Sequence, residues 1–176
     1  ETLRDVFRLG FESFNVGLIR LLPGSEMETV ASREKYKIQT KYRLIPGFTG
    51  IYRNQKVFEY EEAVVGSEAM TFDDMLKVRT VHFLSWALWN SGLAQPLLRH
   101  MQDVDKLNPL DSMMLLLGKH GEVDVQRLLD SYQKESQLEW YDSVDELEKW
   151  FYKDKTKLEE PLKLNLKYLA LILMNK

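Results

Sequence analysis

Residues Phe14 to Leu22 form a near-continuous apolar run of strand length, interrupted by Arg20 and closed by Pro23-Gly24. A run that is apolar on both alternating faces suits a strand covered on both sides, the environment of a parallel sheet. Ahead of it, Leu3, Val6, Phe7 and Leu9 recur at helical spacing and predict a helix over about 2–13. A helix leading into a doubly covered strand is half of a β/α repeat, and such a repeat needs more strands than the rest of this sequence offers. Without them the backbone groups of 16–22 would go unpaired and the segment would expose an apolar surface. The chain also opens inside the helical pattern with Glu1, which predicts that it starts within a longer polypeptide.

Beyond the turn, Ser25-Glu26-Met27-Glu28 has the spacing of a capping box and predicts a short helix over about 26–36. Thr40 to Ile45 and Gly50 to Tyr60 alternate polar and apolar residues about Arg53-Asn54-Gln55-Lys56, where Asn54 is the natural turn residue. Pro46-Gly47 and Gly50 punctuate this small antiparallel unit. From Thr71 onward the pattern is helical. Thr71-Phe72-Asp73-Asp74 caps a helix running to about Asn90 and closing at Gly92. Others are predicted over about 94–103, 109–119, 123–137, 143–153 and 156–174, with a second capping box at Ser143 and Glu146.

Composition removes several functions. The chain has 176 residues, 44% hydrophobic and 29% charged, enough for a sizeable core. Its net charge of −3, with Lys and Arg scattered among Asp and Glu, argues against nucleic acid as a partner. Its densest apolar runs, Val81 to Trp89 and Leu164 to Met174, fall far short of the roughly 20 residues that span a bilayer. No membrane span or signal peptide is predicted, and a cytoplasmic location is the default expectation. With no cysteine, these residues offer no disulfide, thiol nucleophile or thiolate-held iron–sulfur cluster.

Local chemistry is sparse. His82, His100 and His120 lie too far apart to share one helical face, so no metal site is expected among them. His82 follows Arg79 by three positions, so both can face one cleft, although a half-exposed helical histidine is the commoner outcome. Glu59, Glu61 and Glu62, followed by Asp73 and Asp74, could hold a cation. The plainer reading puts Glu59 and Glu61 on a solvent-facing strand side and the two aspartates at a helix start. Phe83, Leu84, Trp86 and Trp89 form an aromatic face that is more often core than ligand box, expected to pack against Leu164, Tyr168 and Leu171. Phosphate-binding glycine loops and a Gly-x-Ser-x-Gly elbow are absent.

Taken together, Gly17-Leu-Ile-Arg-Leu-Leu-Pro-Gly-Ser-Glu-Met27 resembles the late barrel strand and Leu-Pro-Gly-Ser turn of radical S-adenosylmethionine enzymes. Tyr42-Arg-Leu-Ile-Pro46, Lys56-Val-Phe-Glu-Tyr-Glu-Glu62, Val64-Val-Gly-Ser67 and Met70-Thr-Phe-Asp-Asp74 resemble, in the same order, the C-terminal extension of those members that carry an N-terminal cobalamin-binding domain. The resemblance covers roughly residues 1–90. The family's Cys-x-x-x-Cys-x-x-Cys motif is absent and lies well upstream in its members.

The resemblance implies reductive cleavage of S-adenosylmethionine at a [4Fe-4S] cluster and hydrogen abstraction from a substrate, with cobalamin-dependent methyl transfer as a possible sequel. The cluster, most cofactor contacts and any cobalamin domain would belong to other parts of the same polypeptide, leaving no cofactor held by this chain alone. By analogy with barrel enzymes it nominates Arg20, Leu21 and Leu22 as cofactor-binding wall at the barrel mouth, and Pro23, Gly24 and Ser25 as the adjoining loop. Arg20 stands out because a charge in a buried strand needs a partner. That partner is either a carboxylate of substrate or cofactor, or Glu26 or Glu28 within the chain, unless the strand end is exposed.

The implied fold class is α+β, mainly α, in three parts. Residues 1–37 end a radical-SAM barrel, 38–68 form the small β unit, and 69–176 form a helical domain that shapes substrate access. The alternative is a non-enzymatic helical interaction module that binds a partner through an exposed face around Trp86 and Trp89.

Overall fold

The computed structural model describes residues 2–117, 123–153 and 163–174. Among them, eight α-helices accompany one long β-hairpin, so the architecture is α+β and mainly helical. In order, α1 is Thr2–Arg8, α2 Val30–Tyr36, β1 Gln39–Tyr52, β2 Gln55–Gly66 and α3 Phe72–Leu84. The helices α4 Gln95–Val104, α5 Pro109–Leu117, α6 Val123–Gln137, α7 Val144–Lys153 and α8 Leu164–Met174 follow. The predicted stretch 156–162 lies outside the described residues, as does His120. No helix among the described residues is long and apolar enough to cross a membrane.

The hairpin owes its register to its turn. Arg53 and Asn54 both have positive φ, 49° and 63°, the left-handed pair that a two-residue I′ turn requires. Tyr52 therefore faces Gln55, and the ladder runs back to Thr49 opposite Phe58. It then breaks: Leu44 pairs with Tyr60, so β1 places four residues, 45–48, where β2 places only Glu59. Pro46 and Gly47 sit in this bulge, where the missing amide of proline breaks no ladder bond and Gly47 takes a φ of 90°.

Phe14 to Leu22 is not the parallel strand that its apolar pattern predicts. Gly10, at φ 74°, ends α1 early, and 11–19 carry no regular structure. Their backbone is held by side chains instead. Asn90 accepts from the Phe14 amide and donates to its carbonyl, Trp89 Nε1 donates to Phe11 O at 3.0 Å, and Gln95 donates to Glu12 O. Only at Arg20 does the run meet a sheet, as an antiparallel bridge to Ala63. Val64 donates to Ile19 O at 2.9 Å and Leu21 to Glu62 O at 2.8 Å, so the backbone there is paired after all. The opposite edge of the hairpin is closed in the same way, Tyr42 and Tyr141 exchanging two bonds of 2.8 Å.

The expected capping box at Ser25 also forms differently. Its side chain caps nothing, and Thr29 starts α2 by accepting from Ser32 N. Thr71 and Asp74 make a full box. Ser143 accepts from Glu146 N, while Glu146 reaches back to Asp142 N.

Two apolar cores meet at α3, which buries Met75, Leu76, Arg79, Thr80, Val81, Phe83 and Leu84 and exposes Asp73, Lys77 and Val78. One core gathers Phe7, Phe83, Trp89, Met113, Tyr132 and Tyr168 from five helices and the turn after α3, and the other joins Ala63 and Val65 of β2 to Met75, Leu76 and Trp140. After Leu84 the helix widens into a π-helical turn, Ser85–Asn90, in which Ser91 N bonds Trp86 O. Trp89 is thereby fully buried against Phe7, at 5.1 Å edge-to-face. Leu164 packs on this core as the sequence suggests, while Leu171 is exposed.

Because Asn54 tolerates the left-handed region and a β-branched residue does not, Asn54→Val is expected to lower unfolding free energy by about 1–2 kcal/mol. Urea unfolding followed by circular dichroism measures this; an unchanged midpoint would remove the I′ turn as the source of the register.

Candidate functional site

The second core is separated from the first by charge. Arg79 projects from the middle of α3 and is buried, so it requires a counter-charge. It finds Glu139, between α6 and α7, at 2.6 Å, and donates to Ser136 O at 3.1 Å. Arg43 on β1 lies 3.8 Å from the same carboxylate and 2.5 Å from Glu61 on β2. Glu61 in turn meets Nε of Arg20 at 2.5 Å. The result is an alternating ladder, Arg20–Glu61–Arg43–Glu139–Arg79. The indole of Trp140 lies beneath its inner end, 4.9 Å from the Arg43 guanidinium and 5.5 Å from that of Arg79.

This corrects the solvent-facing placement of Glu61. Glu59 is exposed, but Glu61 is only 6% exposed, because residues 19–21 lie over the β2 edge at that position. Within the chain Arg20 pairs with Glu61 rather than with Glu26 or Glu28. Glu28 instead accepts from the Gly24 amide.

The ladder borders an open cleft of about 770 Å³. One wall is the irregular segment 15–18 with Arg20, another is Arg43, Ile45 and Phe48 of β1, and the floor is Val78, Arg79, His82 and Trp86 of α3 and its π turn. Tyr132, Glu139 and residues 163–166 complete it. His82 and Arg79 do face one cleft, as their spacing allows. Burial, with Arg79 and Arg43 nearby, pulls the His82 imidazole below its ordinary value of 6.5, so it is neutral at physiological pH. Burial pushes the Tyr132 phenol up to about 12, and it stays a donor, to Asn165 Oδ1 at 2.9 Å.

Of the residues nominated from the sequence, only Arg20 reaches the cleft. Leu21 is buried, Leu22 is exposed, Pro23 and Gly24 form an exposed turn, and Ser25 Oγ is enclosed without a hydrogen-bond partner among the described residues. Trp86 lines the cleft, but burial of Trp89 removes half of the exposed tryptophan face that a partner-binding module would use. Arg43, Glu139 and Tyr132 carried no local signal of a site. No group of His, Cys, Asp and Glu suited to a metal ion occurs among the described residues. The chain matches no family model and no curated protein sequence.

The two ends of the ladder differ in worth. Glu61→Ala leaves Arg43, itself largely buried, short of its closest counter-charge and is expected to cost about 3 kcal/mol. Arg20→Ala removes a side chain that is 58% exposed and is expected to cost no more than about 1 kcal/mol. Chemical denaturation of both variants measures the contrast; equal losses would mean that burial does not set the strength of these pairs.

Proposed function

We propose that this chain is the C-terminal part of a radical S-adenosylmethionine enzyme, in which its cleft lies on the substrate side of the catalytic cavity. The observation that carries the reading is the ordered set of resemblances from Gly17 to Asp74, with Leu-Pro-Gly-Ser placed directly after an apolar run. Three of those pieces contribute to one ladder: Arg20 from the first, Arg43 from the second and Glu61 from the third. A charge network between segments far apart in sequence supports their acting as one unit.

The residues present do not fit an iron–sulfur cluster, since the chain has no cysteine. The cluster, and any cobalamin, would be held by other segments of the polypeptide, and no step through them is assigned to these residues. In this reading Arg20, which alone of residues 20–25 lines the cleft, borders the S-adenosylmethionine side of the cavity, and the neutral imidazole of His82 supplies an uncharged polar contact on the substrate side.

The test is to express the polypeptide with its upstream coding sequence, reconstitute it anaerobically with iron and sulfide, and supply S-adenosylmethionine and a reductant. A [4Fe-4S] electron paramagnetic resonance signal and release of 5′-deoxyadenosine are expected, both abolished by replacing the upstream cysteines. An upstream sequence without Cys-x-x-x-Cys-x-x-Cys, and no 5′-deoxyadenosine, would overturn the reading.

A further inference from the structure

We infer that the cleft between the hairpin and α3 binds an organic anion, its carboxylate or phosphate facing Arg20, Arg43 and Lys163 and its apolar or aromatic body lying against Trp86 and Phe48. This inference does not depend on the radical-SAM reading, because it uses only the geometry of the described residues.

Charge balance is the first reason. Among the described residues, the ladder and cleft wall hold four cations, Arg20, Arg43, Arg79 and Lys163, against two carboxylates, Glu61 and Glu139. A ladder that existed only to join two layers would close with balanced charge. Here each inner carboxylate is shared by two arginines, which leaves a positive excess beside a low-dielectric wall, where it attracts an anion more strongly than it would in water.

Donor geometry is the second. Arg79 is spent on Glu139 and Ser136 O. Arg20 meets Glu61 through Nε, and the rest of its half-exposed guanidinium borders the cleft. A guanidinium carries five N–H donors in a planar fork suited to carboxylate or phosphate oxygens. Glu61 keeps the guanidinium beside the cleft by an ion pair rather than a hydrogen bond, which leaves its donors for a ligand.

The third is the wall. Leu18, Ile45, Phe48, Val78 and Trp86 add apolar surface beside the charges on the same walls and floor, and the cleft's volume of about 770 Å³ falls within the range of small-molecule sites. An inorganic ion would leave that apolar surface bare.

The test titrates the full chain with phenyl phosphate, benzoate and neutral benzyl alcohol, following the Trp86 indole and His82 imidazole by nuclear magnetic resonance. Saturable shifts at both residues are expected with the two anions, and binding of benzyl alcohol roughly tenfold weaker or more, the loss of one charge-assisted contact. The double variant Arg20→Gln, Lys163→Gln changes two exposed side chains, and its fold is checked by thermal melting. It should weaken phenyl phosphate binding by roughly tenfold while leaving benzyl alcohol unchanged. Equal affinity for charged and neutral probes, no saturable shift in the cleft, or an unaltered double variant would overturn the inference. Failure to cleave S-adenosylmethionine would leave it untouched.

Discussion

Arg79 is the constraint around which the rest is arranged. A guanidinium on the buried face of a helix cannot stay unpaired, since the penalty for an isolated buried charge exceeds what most single packing contacts contribute. Satisfying it fixes Glu139, which fixes the connection between α6 and α7. That connection carries Trp140 under two guanidiniums and Tyr141 onto the β1 edge. Glu139 also engages Arg43, and Arg43 engages Glu61, so one helix side chain determines how the hairpin lies on the helices. Replacing such a network by apolar residues can leave stability unchanged, whereas removing one member strands its partners. Its role here is therefore better described as fixing arrangement than as adding stability.

The cleft follows from the same constraint. Two apolar cores packed directly against each other would leave no gap, but charges kept partly wet hold them apart on the side where residues 15–20 cross. The stretch that leads into that crossing lacks regular structure and is held at Phe11, Glu12 and Phe14 by Trp89, Gln95 and Asn90, side chains of the π turn and the start of α4. The π turn thus has a visible consequence: it buries Trp89 and aims Asn90 at Phe14 within one widened turn.

Much of the fold could be read from local chemistry. Thr71 and Asp74 start α3, Gly92 closes the turn after it at φ 78°, and Asn54 marks the hairpin, because caps and left-handed positions are decided by residues close in sequence. The run Phe14–Leu22 misled because its apolar residues meet unrelated surroundings: Phe14 packs on Phe7, Leu18 on the second core, Leu21 is buried at the β2 edge, and Ile19 and Leu22 are exposed. Alternation cannot distinguish that from a doubly covered strand. The site was less legible. Counting back from the Arg53-Asn54 turn in an unbroken ladder would put Arg43 opposite Val64; the three extra residues of the bulge bring it to Glu61 instead. Glu61 therefore reads as a solvent-facing strand residue until the bulge is known. Arg79 and His82 could be placed on one face by spacing, but nothing local tied them to Glu139, far along the chain.

The central claim is that the charge ladder makes hairpin and helices one cooperative unit. Native-state hydrogen exchange measures this most directly, by comparing the opening free energies of the Val64 and Val65 amides in β2 with those of Phe83 and Leu84 in α3. A coupled structure predicts one shared value for both groups. Opening of the β2 amides at a clearly lower free energy, with α3 still protected, would show that the hairpin is an independent appendage and would contradict the claim.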